Sequence, residues 1–116
     1  MEKKITVSYD ADTDQLHLSD NGKTNAGKSD QIHWRPGDGV SSIMVAWAKD
    51  SSPTSTKEFW SKVPHPNGHN FKGTINSNLA DGRVYDWDYN IVCNVGTEND
   101  PEYKYVDPRI QVDSRI

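Results

Sequence analysis

The chain has 116 residues, a formal net charge of −4 and only 33% apolar residues, below the ~45–50% usual for a globular domain. It contains no apolar run of about 18 residues, which excludes a membrane-spanning helix. Thirteen Lys and Arg against seventeen Asp and Glu argue against a dedicated nucleic-acid grip, and the lone cysteine, Cys93, excludes an internal disulfide framework or a CxxC metal clip.

Taken in chain order, the periodicity is that of strands. Ile5, Val7 and Tyr9 alternate with polar residues almost from the first residue. No apolar signal core follows Met1-Glu2-Lys3-Lys4 and no Asn-x-Ser/Thr acceptor occurs, so the expected compartment is the cytoplasm, with Cys93 reduced. Leu16 and Leu18 predict a short second strand. Ile32 and Trp34 predict a third, closed by the turn cluster Arg35-Pro36-Gly37-Asp38-Gly39. Ser42–Lys49 is apolar on both faces, as in a central strand covered on both sides or a strand at an oligomer interface.

The middle of the chain is irregular. A polar loop, Asp50–Thr56, leads to Phe59, Trp60 and Val63. Pro64-His65-Pro66-Asn67-Gly68-His69 reads as non-regular. Phe71–Ile75 predicts a strand, and 76–82 is turn-rich. The strongest signal is Val84–Val95. Tyr85, Trp87, Tyr89, Ile91, Cys93 and Val95 share one face, and Asp86, Asp88, Asn90 and Asn94 share the other. Strict period two over this length predicts one long half-buried strand, rings inward and acids toward water. Tyr103, Tyr105, Ile110 and Val112 resume the alternation around Asp107-Pro108, where the missing donor is expected to bend a strand. The expectation is one domain, 1–116, an antiparallel Greek-key β-sandwich of seven to nine strands, cupredoxin-like or immunoglobulin-like.

Two segments carry a resemblance. Gly27-Lys28-Ser29-Asp30-Gln31-Ile32-His33-Trp34 resembles the approach to a strand in cupredoxin-like sandwiches. Tyr103-Lys104-Tyr105-Val106-Asp107-Pro108-Arg109-Ile110-Gln111-Val112 resembles the terminal hairpin of small bacterial sandwich proteins, the AidA/PixA inclusion-body family among them. Together they cover about twenty residues. The resemblance implies a fold and transfers no catalytic residue.

Several constellations invite chemistry, each with a plainer alternative. A blue-copper site needs His downstream of its Cys, and Cys93 is followed by Asn94-Val95-Gly96, so Cys93 is expected to be a buried small hydrophobe. His65 and His69, with His33 or Asp38, form a candidate zinc or copper site, or are solvated turn histidines. Asp10, Asp12 and Asp14 have the oxygen spacing that opens a calcium loop, but Gln15 stands where the turn glycine belongs, leaving an acidic turn as the alternative. Asp86 and Asp88 are either an acid/base pair or a solvated sheet face. Trp60, with Asn67, His69 and Asn70, forms a candidate sugar-stacking platform, or Trp60 anchors a loop. No assembled nucleophile or phosphate-binding motif accompanies them.

The residues therefore support a non-catalytic binding or self-assembly module, not an enzyme, without cofactor. Its expected partners are a second copy, a glycan or a protein, and neither nucleic acid nor a membrane span. The alternatives are a carbohydrate-binding module using Trp60 and a His-based metal-binding protein.

Overall fold

The computed structural model describes residues 1–48 and 52–115. Lys49, which ends the expected strand from Ser42, and Asp50 and Ser51 of the expected loop lie outside the described residues. The strands are β1 (Glu2–Asp10), β2 (Gln15–Leu18), β3 (Lys23–Ala26), β4 (Gln31–Pro36), β5 (Ser42–Ala46), β6 (Trp60–Asn67), β7 (Asn70–Ile75), β8 (Val84–Asp88), β9 (Asn90–Asn94), β10 (Tyr103–Val106) and β11 (Arg109–Asp113), with one helical turn, α1 (Thr56–Phe59). They form three sheets, ordered β2-β1-β4-β7-β6, β10-β9-β5 and β3-β11-β8. The fold is the expected all-β sandwich type. No helix among the described residues is long and apolar enough to cross a membrane.

Strand number and pairing direction differ from the expectation. Eleven strands form among the described residues rather than seven to nine, and two pairings, β1 with β4 and β11 with β3, are parallel. The extra strands are those that periodicity cannot see. β3 buries only Thr24, and β6 contains Pro64 and Pro66, so Pro64–Asn67 is strand rather than irregular. β6 tolerates its prolines because it is the outer strand of its sheet, where missing donors break no second ladder. It also carries register irregularities between Trp60 and Lys62 and between Lys62 and His65. Its hairpin to β7 is closed by Gly68-His69, with Gly68 at φ +66°. A two-residue hairpin loop needs such a left-handed first position, which glycine takes without steric cost.

The expected single strand from Val84 to Val95 is two strands, interrupted at Tyr89. β8 pairs with β11 and β9 with β10, in one unbroken register: Asp88 faces Arg109, and Ile91 faces Val106. The break lies opposite Asp107-Pro108. Pro108 has no N–H to donate, so the ladder lapses there, and Tyr89 N–H still reaches the Pro108 carbonyl at 3.2 Å. The ribbon changes sheet at this level, while its inward face continues: Tyr85, Trp87, Tyr89, Ile91 and Cys93 are all buried. Asn94, expected in water, is also buried. Its Oδ1 accepts from the Gly96 and Glu102 amides at 2.9 and 3.1 Å, which shapes the turn into β10.

The sheets meet around an aromatic cluster. Trp87 lies 5.0 Å from Trp60, 5.0 Å from Tyr89 and 6.0 Å from Phe59 between ring centroids. Trp34 Nε1 donates to the buried Tyr89 hydroxyl at 2.9 Å, and Trp87 Nε1 donates to Thr56 Oγ1 at 3.0 Å. Ser55 caps α1 by accepting from the Glu58 amide. The helical turn thereby delivers Phe59 and Trp60 into the core in succession, which no period-two pattern would do.

Candidate functional site

The expected sugar platform does not assemble. Trp60 is only 3% exposed, with rings of Trp34, Phe59 and Trp87 around it, so it offers no face to a ligand. Asn67 and His69 lie at the other end of β6, roughly 20 Å away at strand rise. Asn70 is turned to His33, its Nδ2 donating to His33 Nε2 at 2.9 Å. Trp60 is a core residue because the helical turn before it reverses which side of the chain faces inward.

The histidines and the acidic turn are likewise taken up singly. His65 Nδ1 lies 2.8 Å from the Val63 carbonyl, and its cross-strand neighbour is a cation, Lys72. His69 occupies the exposed hairpin turn. Asp10 caps the Asp12 amide at 2.9 Å. Asp14 accepts from the Tyr9 hydroxyl at 2.6 Å and faces Lys104 Nζ at 3.1 Å. The Tyr9 bond and then Lys104 hold the Asp14 carboxyl below its ordinary range. Among the described residues, no three His, Cys, Asp or Glu side chains converge to hold a metal ion. Asp86 and Asp88 are not a free acid/base pair. Arg109 forks onto Asp88 at 2.5 and 3.0 Å, and Gln111 donates to Asp86 at 2.7 Å. Cys93 is fully buried, and desolvation pushes its thiol up to about 11.

A different surface stands out. On the outer side of the β5–β9–β10 sheet, Met44, Val92 and Tyr105 lie in one cross-strand row, with Tyr103 opposite Asn94 and Ala46 opposite Asn90. Directly opposed residues project from the same face. Tyr103 is 66%, Tyr105 73% and Met44 52% exposed. Of the two expectations for the Ser42 strand, a central strand covered on both sides or a strand at an oligomer interface, the first is thus corrected: β5 ends its sheet, Ile43 and Val45 are buried, and Met44 faces outward. Among the described residues, no charged side chain is paired on this outer face. Its polar members are Ser42, Asn90 and Asn94.

Two hollows flank the tyrosines. One, of about 250 Å³, is lined by Ala46, Asn90, Val92 and residues 103–105. The other, of about 340 Å³, is lined by Asp14, Gln15, Leu16 and residues 103–106. Lys104, between the two rings in sequence, is engaged by Asp14 and Glu102. Sequence reasoning registered Tyr103 and Tyr105 only as alternation. Period two says that they share a side of the strand, and it does not say that the side is solvent.

Comparison with family models and with curated proteins finds no match for this chain.

Proposed function

We propose that the chain is a non-catalytic binding module whose contact surface is the outer face of β5, β9 and β10. The observation that carries this reading is the pair Tyr103 and Tyr105, outward between two open hollows whose charged lining is Lys104, in both, and Asp14, in one. The rings stand about 7 Å apart along the strand. A flat ring with one apolar face, such as a pyranose, can lie on either phenol while its hydroxyls reach Asn90 or Gln15 at the rim. The non-catalytic character is supported by the commitment of Asp14, Asp86 and Asp88 to partners of their own chain.

Size favours a small ligand over a stable dimer. Three strands about five residues long present roughly 250 Å², whereas a specific interface takes ~800 Å² per partner. Self-assembly through this face is the second reading, favoured by Met44 on β5.

The test is a titration with neutral oligosaccharides followed by amide and tyrosine resonances. Each ring contributes about 0.5–1.5 kcal/mol of stacking, so Tyr103→Ser with Tyr105→Ser should weaken binding roughly 5- to 150-fold. Shifts that ignore both substitutions would refute the site. Concentration-dependent light scattering abolished by Met44→Lys would favour the second reading.

A further inference from the structure

The outer side of the five-stranded sheet carries a segregated charge. Lys4, His33, Lys72 and His65 are consecutive cross-strand neighbours on β1, β4, β7 and β6. At strand spacing the row spans about 14 Å. Arg35 and Lys62 flank it on the same side, as the partners of Thr6 and Thr74. The acids on these four outward faces are Glu2 and, at the far end of β1, Asp10. Four of the chain's thirteen lysines and arginines therefore stand here against two of its seventeen acids. The face carries +2 and the rest of the chain −6.

Basic side chains placed directly opposite one another repel and destabilise a sheet. Within the chain the relief is small: Glu2 lies 3.8 Å from Lys4 and 3.6 Å from His33. His33, mostly shielded from water, is held below its ordinary range first by burial and then by Lys72, with Lys4 and Arg35 adding to it and Glu2 opposing. Its Nε2 accepts from Asn70, so the neutral ring carries its proton on Nδ1, toward Glu2.

We propose that this face binds a linear acidic polysaccharide laid across the strands along the Lys4–His33–Lys72–His65 row. Carboxylate or sulfate groups meet the cations, and sugar hydroxyls meet Thr6, Gln31 and Thr74, which stand beside the row. A single-stranded nucleic acid would require aromatic platforms for its bases, and the rings of these strands point the other way: Trp34 and Trp60 are buried. A second copy fits less well. Asp14, Asp81, Asp86, Asp88 and Asp113 already face Lys104, Lys28, Arg109 and Arg115 of their own chain.

The experiment is fluorescence polarisation of a labelled heparin-derived octasaccharide with the full chain, beside a neutral dextran oligomer and an oligothymidylate. Binding of the octasaccharide is expected, with affinity falling roughly tenfold or more as salt rises from about 25 to 150 mM, as for any polyanion that releases counterions, whereas dextran held at the tyrosine face keeps its affinity as salt rises and the oligothymidylate does not bind. Lys4→Gln with Lys72→Gln should weaken it at least tenfold, and Lys23→Gln with Lys57→Gln, on other surfaces, should leave it unchanged. Lys4 is exposed and Lys72 half-buried, and circular dichroism is the check that each variant is folded. The proposal is overturned by absent binding at low salt, by equal affinity of the two double variants, or by tighter binding of the oligothymidylate. Salt-sensitive self-association that is lost in the Lys4/Lys72 variant without octasaccharide binding would assign the face to a second copy and overturn it equally.

Discussion

His33 is where a single side chain reports on its surroundings. Burial and three neighbouring cations depress its folded pKa below the ordinary histidine value. The unfolded chain therefore takes up the proton first as pH falls. Stability from this group is complete above the ordinary histidine pKa of about 6.5 and is lost as pH falls from there through the folded value. Thermal melting between pH 7.5 and 5, a window above the carboxylate range, should show a falling midpoint. His33→Gln, which can still meet Asn70, should flatten the slope, and an unchanged slope would mean that another group titrates. At this scale the sequence was uneven. It placed Cys93 correctly as a buried hydrophobe, because alternation put the thiol on the apolar side. It left Trp60 open between an exposed platform and a packed anchor, and the structure shows it packed, because a residue beside a helical turn has no alternation to be judged by.

Among the elements, the β8–β9 ribbon shows how much a pattern can carry. Its inward face was readable from Tyr85 to Cys93, since side chains on extended backbone alternate whatever sheet they join. The change of sheet at Tyr89 was not, because its cause lies on another strand, at Pro108. β6 is the opposite case. Its two prolines read as irregularity, and only its place at the sheet edge makes them compatible with a strand. β7 contributes a residue without a side chain for a reason that is equally distant in sequence. A Cβ at Gly73 would lie 2.8 Å from the Trp60 ring and 3.2 Å from the Lys62 carbonyl. Gly73→Ala must push the packed indole or the β6 backbone aside, so a loss of about 1–3 kcal/mol is expected in denaturant melts. A neutral result would mean that β6 yields freely at its bulges.

For the whole molecule, Trp87 is the joint. It is fully buried and touches rings from the helical turn, from β6 and from the β8–β9 junction. Trp87→Ala is expected to cost about 3–5 kcal/mol and to collapse the near-ultraviolet circular dichroism of the coupled rings. Retention of that signal would show that the sheets are held together elsewhere. The surface separates as clearly as the core assembles: a neutral tyrosine face on one sheet and a basic face on another, in a chain of net negative charge. The sequence by itself determined that the protein is built of strands, which residues of the strongest segments turn inward, and that Cys93 lies on an apolar face. Those conclusions follow from the two-residue period of extended backbone. Tertiary structure alone decided that Trp60 is core, that Tyr103 and Tyr105 are surface, and that Lys4, His33, Lys72 and His65 stand in a row. Each of these depends on strand register and sheet order, which join residues tens of positions apart and leave no trace in local periodicity.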